Sequence, residues 1–320
     1  MMERANNYKQ IAFWLPFIAI FALFPLLKPS GYQLVLAQHI LIWGLFAVAF
    51  NMLWGVTGML SFGQALYYGL GAYSIGLMVK YLGASWFVPA IGIGLVASVV
   101  LSLVIGLLII RVSGVFFTVL SLAFGLLAWH VTFRAYEFTG GDDGIQGIIP
   151  PGPLADQIVY YYGCLVLVLV SIWFLRRLAV SPMGLLLRAV RQNPNRVTFL
   201  GQSVRYNQLR IYMISSFFSA LAGSLMAGVD YSIHTDMFYW TTSGEVILMS
   251  VLGGIGQFFW PFIGAAVIII IQDVVGAKTQ YWSLIIGILM MVMVLLLPRG
   301  LVGEFRQLGA RWFARGNQGG

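Results

Sequence analysis

The chain has 320 residues, of which 60% are hydrophobic and 9% are charged. Soluble domains carry about 25% charged residues, so this composition excludes a separately folding soluble domain and indicates a polytopic membrane protein. The formal net charge of +8 is better explained by basic loops on the cytoplasmic side of a membrane than by nucleic-acid binding. Cys164 is the only cysteine, which leaves neither a disulfide within the chain nor a cysteine-based metal cluster.

Apolar runs separated by turn-forming residues predict an all-α bundle of about ten transmembrane helices in one domain over residues 1–320. The first run has no small-residue cleavage site after it, so we expect a retained span rather than a removed signal peptide. The first and the last two runs are short for full spans, and 55–63 is a candidate re-entrant turn. The predicted spans are 11–27, 34–54, 64–81, 88–110, 115–134, 158–178, 211–229, 243–259, 261–277 and 282–297.

The distribution of Lys and Arg predicts that both termini face the cytoplasm, because basic residues concentrate in cytoplasmic loops. In this orientation the external side of the membrane has only four basic residues: Lys28, Lys80, Arg134 and Lys278. The external loop 135–157 then carries acidic residues and no basic residue.

The longest cytoplasmic segment, 179–210, contains the one sizeable polar helix. Ser181 can cap this helix, and Pro182 suits its first turn, where a missing N–H costs nothing. Four apolar residues recur at helical spacing and form a stripe: Met183, Leu186, Leu187 and Val190. Arg188 and Arg191 lie off the stripe. The helix either docks on a soluble partner or lies on the lipid headgroups, and the pattern alone favours neither.

The seventh predicted span has one broad face of small residues. Small residues let transmembrane helices approach closely. We therefore expect this span to lie deep in the bundle, at a subunit interface or beside a pathway, with packing as the leading interpretation. The residues are Ser215, Ser216, Ser219, Ala220, Ala222, Gly223, Ser224, Ala227 and Gly228.

Motifs for catalysis are missing from the sequence. There is no phosphate-binding loop for ATP and no Gly-x-Ser-x-Gly nucleophile motif. The histidines have no metal-ligand spacing, and nothing predicts a catalytic residue, a metal or a cofactor. Mild polar residues within or beside the spans are candidates for lining a solute pathway, although helix–helix hydrogen bonding is their commoner role. These candidates are Ser61, Gln64, Thr118, Ser121 and Gln257.

Ionisable residues inside a membrane are the usual markers of function. Glu245 and Asp273 fall near the predicted outer ends of their helices, where interfacial solvation explains them. A proton-coupled carrier would place carboxylates at mid-depth, so the sequence favours another energy source. In the external loop, Asp142 and Asp143 lie in a Gly-rich stretch that either contacts an extracytoplasmic partner or forms a plain turn.

Several segments follow one another in a specific order and spacing. They are 58–65 with 69–73, 121–124, 139–144, 181–184 with 188–191, 252–256 with Pro261 and Gly264, and 298–301. Together they resemble the membrane subunit of bacterial ABC importers for branched-chain amino acids, the LivM type. One difference is the stretch 192–195, Gln-Asn-Pro-Asn, where the family usually carries an acidic residue.

The resemblance implies a multi-pass permease of the bacterial inner membrane that forms a pathway for branched-chain or related hydrophobic amino acids. It implies a second permease, two ABC ATPase subunits that hydrolyse ATP, and a periplasmic substrate-binding protein. It further implies that the polar helix couples to an ATPase, whose groove would receive the apolar stripe. The implied coupling residues are Met183, Gly184, Leu186, Leu187, Arg188, Val190 and Arg191.

Three alternatives differ in substrate or in mechanism. Urea or short amides could be the substrates within the same family. An ion-gradient-driven secondary carrier is less favoured, and a membrane-embedded enzyme would need a polar cluster that the sequence does not show.

Overall fold

The computed structural model describes residues 19–278, 281, 284–285, 287–288 and 291. Its helices are α1 Gly31–Thr57, α2 Gln64–Leu82, α3 Phe87–Ile109, α4 Val115–Arg134, α5 Tyr136–Thr139, α6 Gln157–Val180, α7 Pro182–Gln192, α8 Pro194–Phe199, α9 Val204–Asp230, α10 Trp240–Gly253 and α11 Trp260–Gly276. Two short strands, β1 Ile145–Gln146 and β2 Ser232–Ile233, pair antiparallel. Single 3-10 turns cover Phe24–Leu27, Ala84–Trp86, Gly141–Asp143, Gly152–Ala155 and Thr235–Phe238.

The expected helical membrane bundle is confirmed. Five of the described helical segments are long and apolar enough to cross a membrane: Gly31–Thr57, Ala84–Ile109, Val115–Arg134, Gln157–Val180 and Val204–Asp230. The predicted spans 11–27 and 282–297 lie partly outside the described residues. The count of about ten spans is therefore not confirmed.

The predicted span 243–259 is wrong. Helix α10 ends at Gly253, and its 14 residues cover about 21 Å, less than the roughly 30 Å of a hydrocarbon core. The chain turns before Trp260 because Gly254 and Gly256 have φ values of 114° and 86°, which residues with a Cβ rarely adopt. Hydropathy does not register this break, since glycine is neither strongly polar nor charged.

Helix α9 lies at the centre of the bundle, as its small residues predict. It packs against α1, α2 and α3, and most of its apolar stretch is buried. A Cβ built on Gly223 would lie 1.8 Å from the carbonyl oxygen of Tyr68 on α2, and one on Gly71 would lie 1.9 Å from that of Ala220. The two backbones are in direct contact, which only glycine allows at these points.

The loops group at two ends of the bundle as the topology predicts. Residues from 57–60, 112–118 and 190–194 line one cavity of about 570 Å³, so these segments share an end. At the other end β1 pairs with β2, and the Tyr81 hydroxyl donates a hydrogen bond to the Phe138 carbonyl, 3.2 Å away. Which end faces the cytoplasm remains a prediction from the basic residues.

Thiol labelling tests the orientation. Asn195→Cys should be shielded from a membrane-impermeant thiol reagent added outside intact spheroplasts, while Asp142→Cys should react. Both positions are exposed, and the native Cys164 is buried, so only the new thiols compete for the reagent. The reverse labelling pattern would overturn the orientation. Permeabilised cells serve as the control, because both thiols should react there.

Candidate functional site

The chain is non-helical between α1 and α2, from Gly58 to Gly63. Gly58 ends α1 in the left-handed region, with φ of 79°. The segment is held against α4 by two hydrogen bonds: the Phe62 N–H donates to the Ser121 Oγ at 3.1 Å, and the Thr118 Oγ1 donates to the Leu60 carbonyl at 2.9 Å. Side-chain hydroxyls therefore satisfy backbone groups that a continuous helix would have paired internally.

This segment carries the start of α2 to the middle of the bundle. The Gln64 Oε1 accepts a hydrogen bond from the Ser219 Oγ at 3.1 Å. Ser219 is about 22 Å along α9 from Val204 and about 17 Å before Asp230, at 1.5 Å per residue. Helix α2 therefore begins near mid-depth, and the expected re-entrant turn is confirmed, beginning at Gly58 rather than at residue 55.

A second non-helical segment enters from the opposite end and leads into α10. After α9 the chain forms β2 and a 3-10 turn, and Phe238 then packs on α2, its ring centroid 5.2 Å from that of Tyr73. Helix α10 starts at Trp240, and its Ser243 Oγ accepts a hydrogen bond from the Ala65 N–H at 2.8 Å. The N-terminal ends of α2 and α10 thus meet at mid-depth, a geometry typical of the broken helices of transporters.

Four of the five predicted pathway residues lie together at this junction. Ser61, Gln64 and Ser121 are buried. The hydroxyls of Ser61, Thr118 and Ser121 and the Gln64 Oε1 form hydrogen bonds within the chain, whereas the Gln64 Nε2 has no partner among the described residues. Gln257 lies apart, in the turn between α10 and α11. A role for these residues in lining a pathway remains a prediction.

Sequence reasoning missed the contribution of Ser243 to this junction and counted Ser219 only among the packing residues. A signal for the first was present, because Thr241, Thr242 and Ser243 form a polar run at the start of an apolar stretch. Such a polar run is typical of a helix start, and in the structure this helix start lies inside the membrane.

The position predicted for Glu245 is wrong. It lies in the second turn of α10, two residues beyond Ser243, and therefore near mid-depth rather than at an outer helix end. Its side chain is partly exposed. Among the described residues it has no salt bridge and no side-chain hydrogen bond. Asp273, by contrast, lies near the C-terminal end of α11 and is hydrogen-bonded to the Tyr32 hydroxyl.

The polar helix α7 forms as the sequence predicts but turns its apolar stripe inward. The Ser181 Oγ accepts a hydrogen bond from the Gly184 N–H at 3.3 Å and caps it. Leu187 is fully buried and Val190 is 2% exposed, because α7 packs on α1, α6 and α9. Met183 and Leu186 are half-buried on the same side. The bundle itself therefore covers Leu187 and Val190, which are not free to enter a groove of another protein. A contact through Met183 or Leu186 stays a prediction.

The opposite face of α7 is available to a partner. Four exposed residues recur at helical spacing on it: Leu185, Arg188, Ala189 and Gln192. Leu185 is 60% exposed, although an apolar side chain in contact with water gains by being covered. A partner protein would contact this exposed face of α7 more readily than the stripe, which the bundle largely covers.

Helix α7 is hydrogen-bonded to α1, close to the segment that leads to α2 and to the turn between α10 and α11. The Arg191 guanidinium donates a hydrogen bond to the Gly55 carbonyl near the end of α1. Nearby, the Asn51 Nδ2 donates to the Gln257 carbonyl at 2.9 Å, and the Gly256 N–H donates to the Asn51 Oδ1 at 3.3 Å. A displacement of α7 would therefore reach both the segment leading to α2 and the turn between α10 and α11.

Asp142 and Asp143 lie in the 3-10 turn Gly141–Asp143, and both are exposed. The Tyr136 hydroxyl donates a hydrogen bond to the Asp143 Oδ2 at 2.6 Å, which raises the pKa of Tyr136 above its usual value. Asp142 remains accessible to a partner. Contact with a binding protein stays a prediction. Among the described residues, no group of three or more His, Cys, Asp or Glu side chains could hold a metal ion.

Comparison with known proteins identifies the family. The family described as the permease component of branched-chain amino acid transport systems matches residues 34–295, most of the chain. The chain belongs to this family. It is therefore a multi-pass membrane permease of the ABC-transporter type, in agreement with the resemblance found in the sequence.

Relatives of this permease occur in bacteria and archaea. The high-affinity branched-chain amino acid transport permease LivM of Escherichia coli (strain K12) is 25% identical, with 93% of this chain and 76% of the relative covered. A probable LivM of Methanocaldococcus jannaschii is also 25% identical, with 84% and 94% covered. LivH of Salmonella typhimurium is 21% identical, with 82% and 91% covered. No solved structure matches the permease significantly.

Proposed function

We propose that this permease forms part of the translocation pathway of an ATP-driven importer for branched-chain or related hydrophobic amino acids in a bacterial inner membrane. The observation that carries the proposal is the similarity to LivM along nearly the whole chain. The mid-depth meeting of α2 and α10 supports it, because transporters place broken helices where the solute crosses. The permease itself has no catalytic role in this proposal.

The complex would contain a second permease, two ABC ATPase subunits and a periplasmic substrate-binding protein. Similarity to both LivM and LivH supports a pair of related permeases. The ATPase would contact α7 through Leu185, Arg188, Ala189 and Gln192, the face that the bundle leaves exposed. Nucleotide-driven motion would then pass through the Arg191 contact to the end of α1 as rigid-body movement.

One observation favours a second function, a proton-coupled carrier. Glu245 is a carboxylate near mid-depth without an ion-pair partner among the described residues, and proton relays in transporters use such groups. The family favours the ATP-driven importer, but the two differ in their energy source and can be separated by experiment.

The test is uptake of radiolabelled leucine by proteoliposomes that contain the permease and the subunits with which it co-purifies from native membranes. Uptake should require ATP and the substrate-binding protein, and it should survive an uncoupler that collapses the proton gradient. Uptake that continues without ATP and stops with the uncoupler would establish the secondary carrier instead. Competition by urea or acetamide, but not by valine, would move the substrate to the amide class.

A further inference from the structure

Glu245 lies on a face of α10 that the described chain leaves partly uncovered. Residues at spacings of three and four share one side of a helix. Thr241 is exposed, and Gly244, Glu245 and Leu248 are half-buried. The opposite side is fully buried and consists of Ser243, Val246 and Ser250. The uncovered side therefore points away from the helices that surround the rest of α10.

This side cannot face the hydrocarbon of the bilayer at the depth that the Ala65–Ser243 hydrogen bond gives it. Ionisable groups at mid-depth face a bundle interior or a water-filled space and are paired there. In the described chain Glu245 has no salt bridge and no side-chain hydrogen bond. A cation that pairs with the Glu245 carboxylate would therefore come from outside the described residues.

Resting on the function proposed above, we propose that Glu245 binds the ammonium group of the transported amino acid and that the pathway runs along this side of α10. A primary ammonium carries one positive charge and three hydrogen-bond donors, which match a carboxylate. Pairing the two removes the cost of an isolated charge at mid-depth. Urea and short amides carry no cation and leave Glu245 unpaired, so this contact selects amino acids against them.

The first test is Glu245→Gln in the reconstituted complex. Leucine uptake should fall at least about tenfold, because the amide keeps the size of the side chain and loses its charge. Glu245→Asp should restore part of the uptake. Glu137→Gln, in the external loop, is the matched control and should transport normally. Co-purification with the partner subunits verifies assembly of each variant.

The outcomes separate this proposal from the proposed function. If the unaltered complex takes up leucine with ATP and Glu245→Gln does so equally well, the role of Glu245 is refuted while the importer stands. If the unaltered complex shows no ATP-driven uptake of amino acids, the proposed function itself fails. If Glu245→Gln does not assemble, the second test decides.

The second test probes water access along α10 and leaves Glu245 intact. In a Cys164→Ala background, Thr241→Cys and Leu248→Cys should react with a small cationic thiol reagent, and leucine should slow the reaction. Val246→Cys, on the buried side, should not react. An absence of labelling at both uncovered positions would show that lipid or a partner subunit covers this side, and it would overturn the proposal.

Discussion

Gly223→Leu should nearly abolish the yield of folded permease. The Cβ alone would lie 1.8 Å from the Tyr68 carbonyl oxygen, so the backbones of α9 and α2 would have to separate along their contact. Overpacking costs about 1–3 kcal/mol where side chains can adjust. Here a backbone atom is the obstacle and cannot rotate away, so we expect more than about 3 kcal/mol. The measurements are the amount of monodisperse protein in mild detergent and its thermal unfolding midpoint.

Gly92→Leu is the matched control, because it makes the same change in another transmembrane helix. A Cβ on Gly92 meets no atom within 4 Å, and this residue is exposed on α3. Its yield and unfolding midpoint should stay close to those of the unaltered protein. Equal behaviour of the two leucine variants would contradict the close contact of α9 with α2.

Leu187→Asp and Leu185→Asp should affect the stability of the permease differently, although both place a carboxylate on α7. Leu187 is fully buried against the bundle, and an uncompensated buried charge costs about 3–5 kcal/mol. We therefore expect Leu187→Asp to lower the unfolding midpoint of the isolated permease and its yield. Leu185→Asp should leave both unchanged, because Leu185 is 60% exposed.

The coupling experiment uses the stable variant of this pair. If the ATPase contacts the exposed face of α7, Leu185→Asp should retain less ATPase on purification or lose stimulation of ATP hydrolysis by the loaded binding protein. Thr198→Asp, exposed on the neighbouring helix α8, is the control for added charge. Full stimulation in Leu185→Asp would show that the exposed face of α7 does not contact the ATPase. Helix α7 would then only stabilise the bundle.

Local features of the fold followed from the sequence. The long apolar runs became helices, because a segment in lipid must pair its own backbone groups. Helix α7 begins after Ser181, as this capping residue predicts, and ends at Gln192. The small residues of α9 correctly predicted its place in the bundle. The order of several short segments identified the family that the comparisons then confirmed.

The sequence alone therefore determined the class of protein, most of the helices and the family, since hydropathy, capping and motif order are local properties. Only the tertiary structure decided which side of α7 is covered and how deep α10 begins. The Ala65–Ser243 hydrogen bond joins residues 178 positions apart, and α7, which carries Leu187, packs on α1, α6 and α9. Because depth and facing depend on such distant contacts, Glu245 became a candidate site only once α10 was placed against α2.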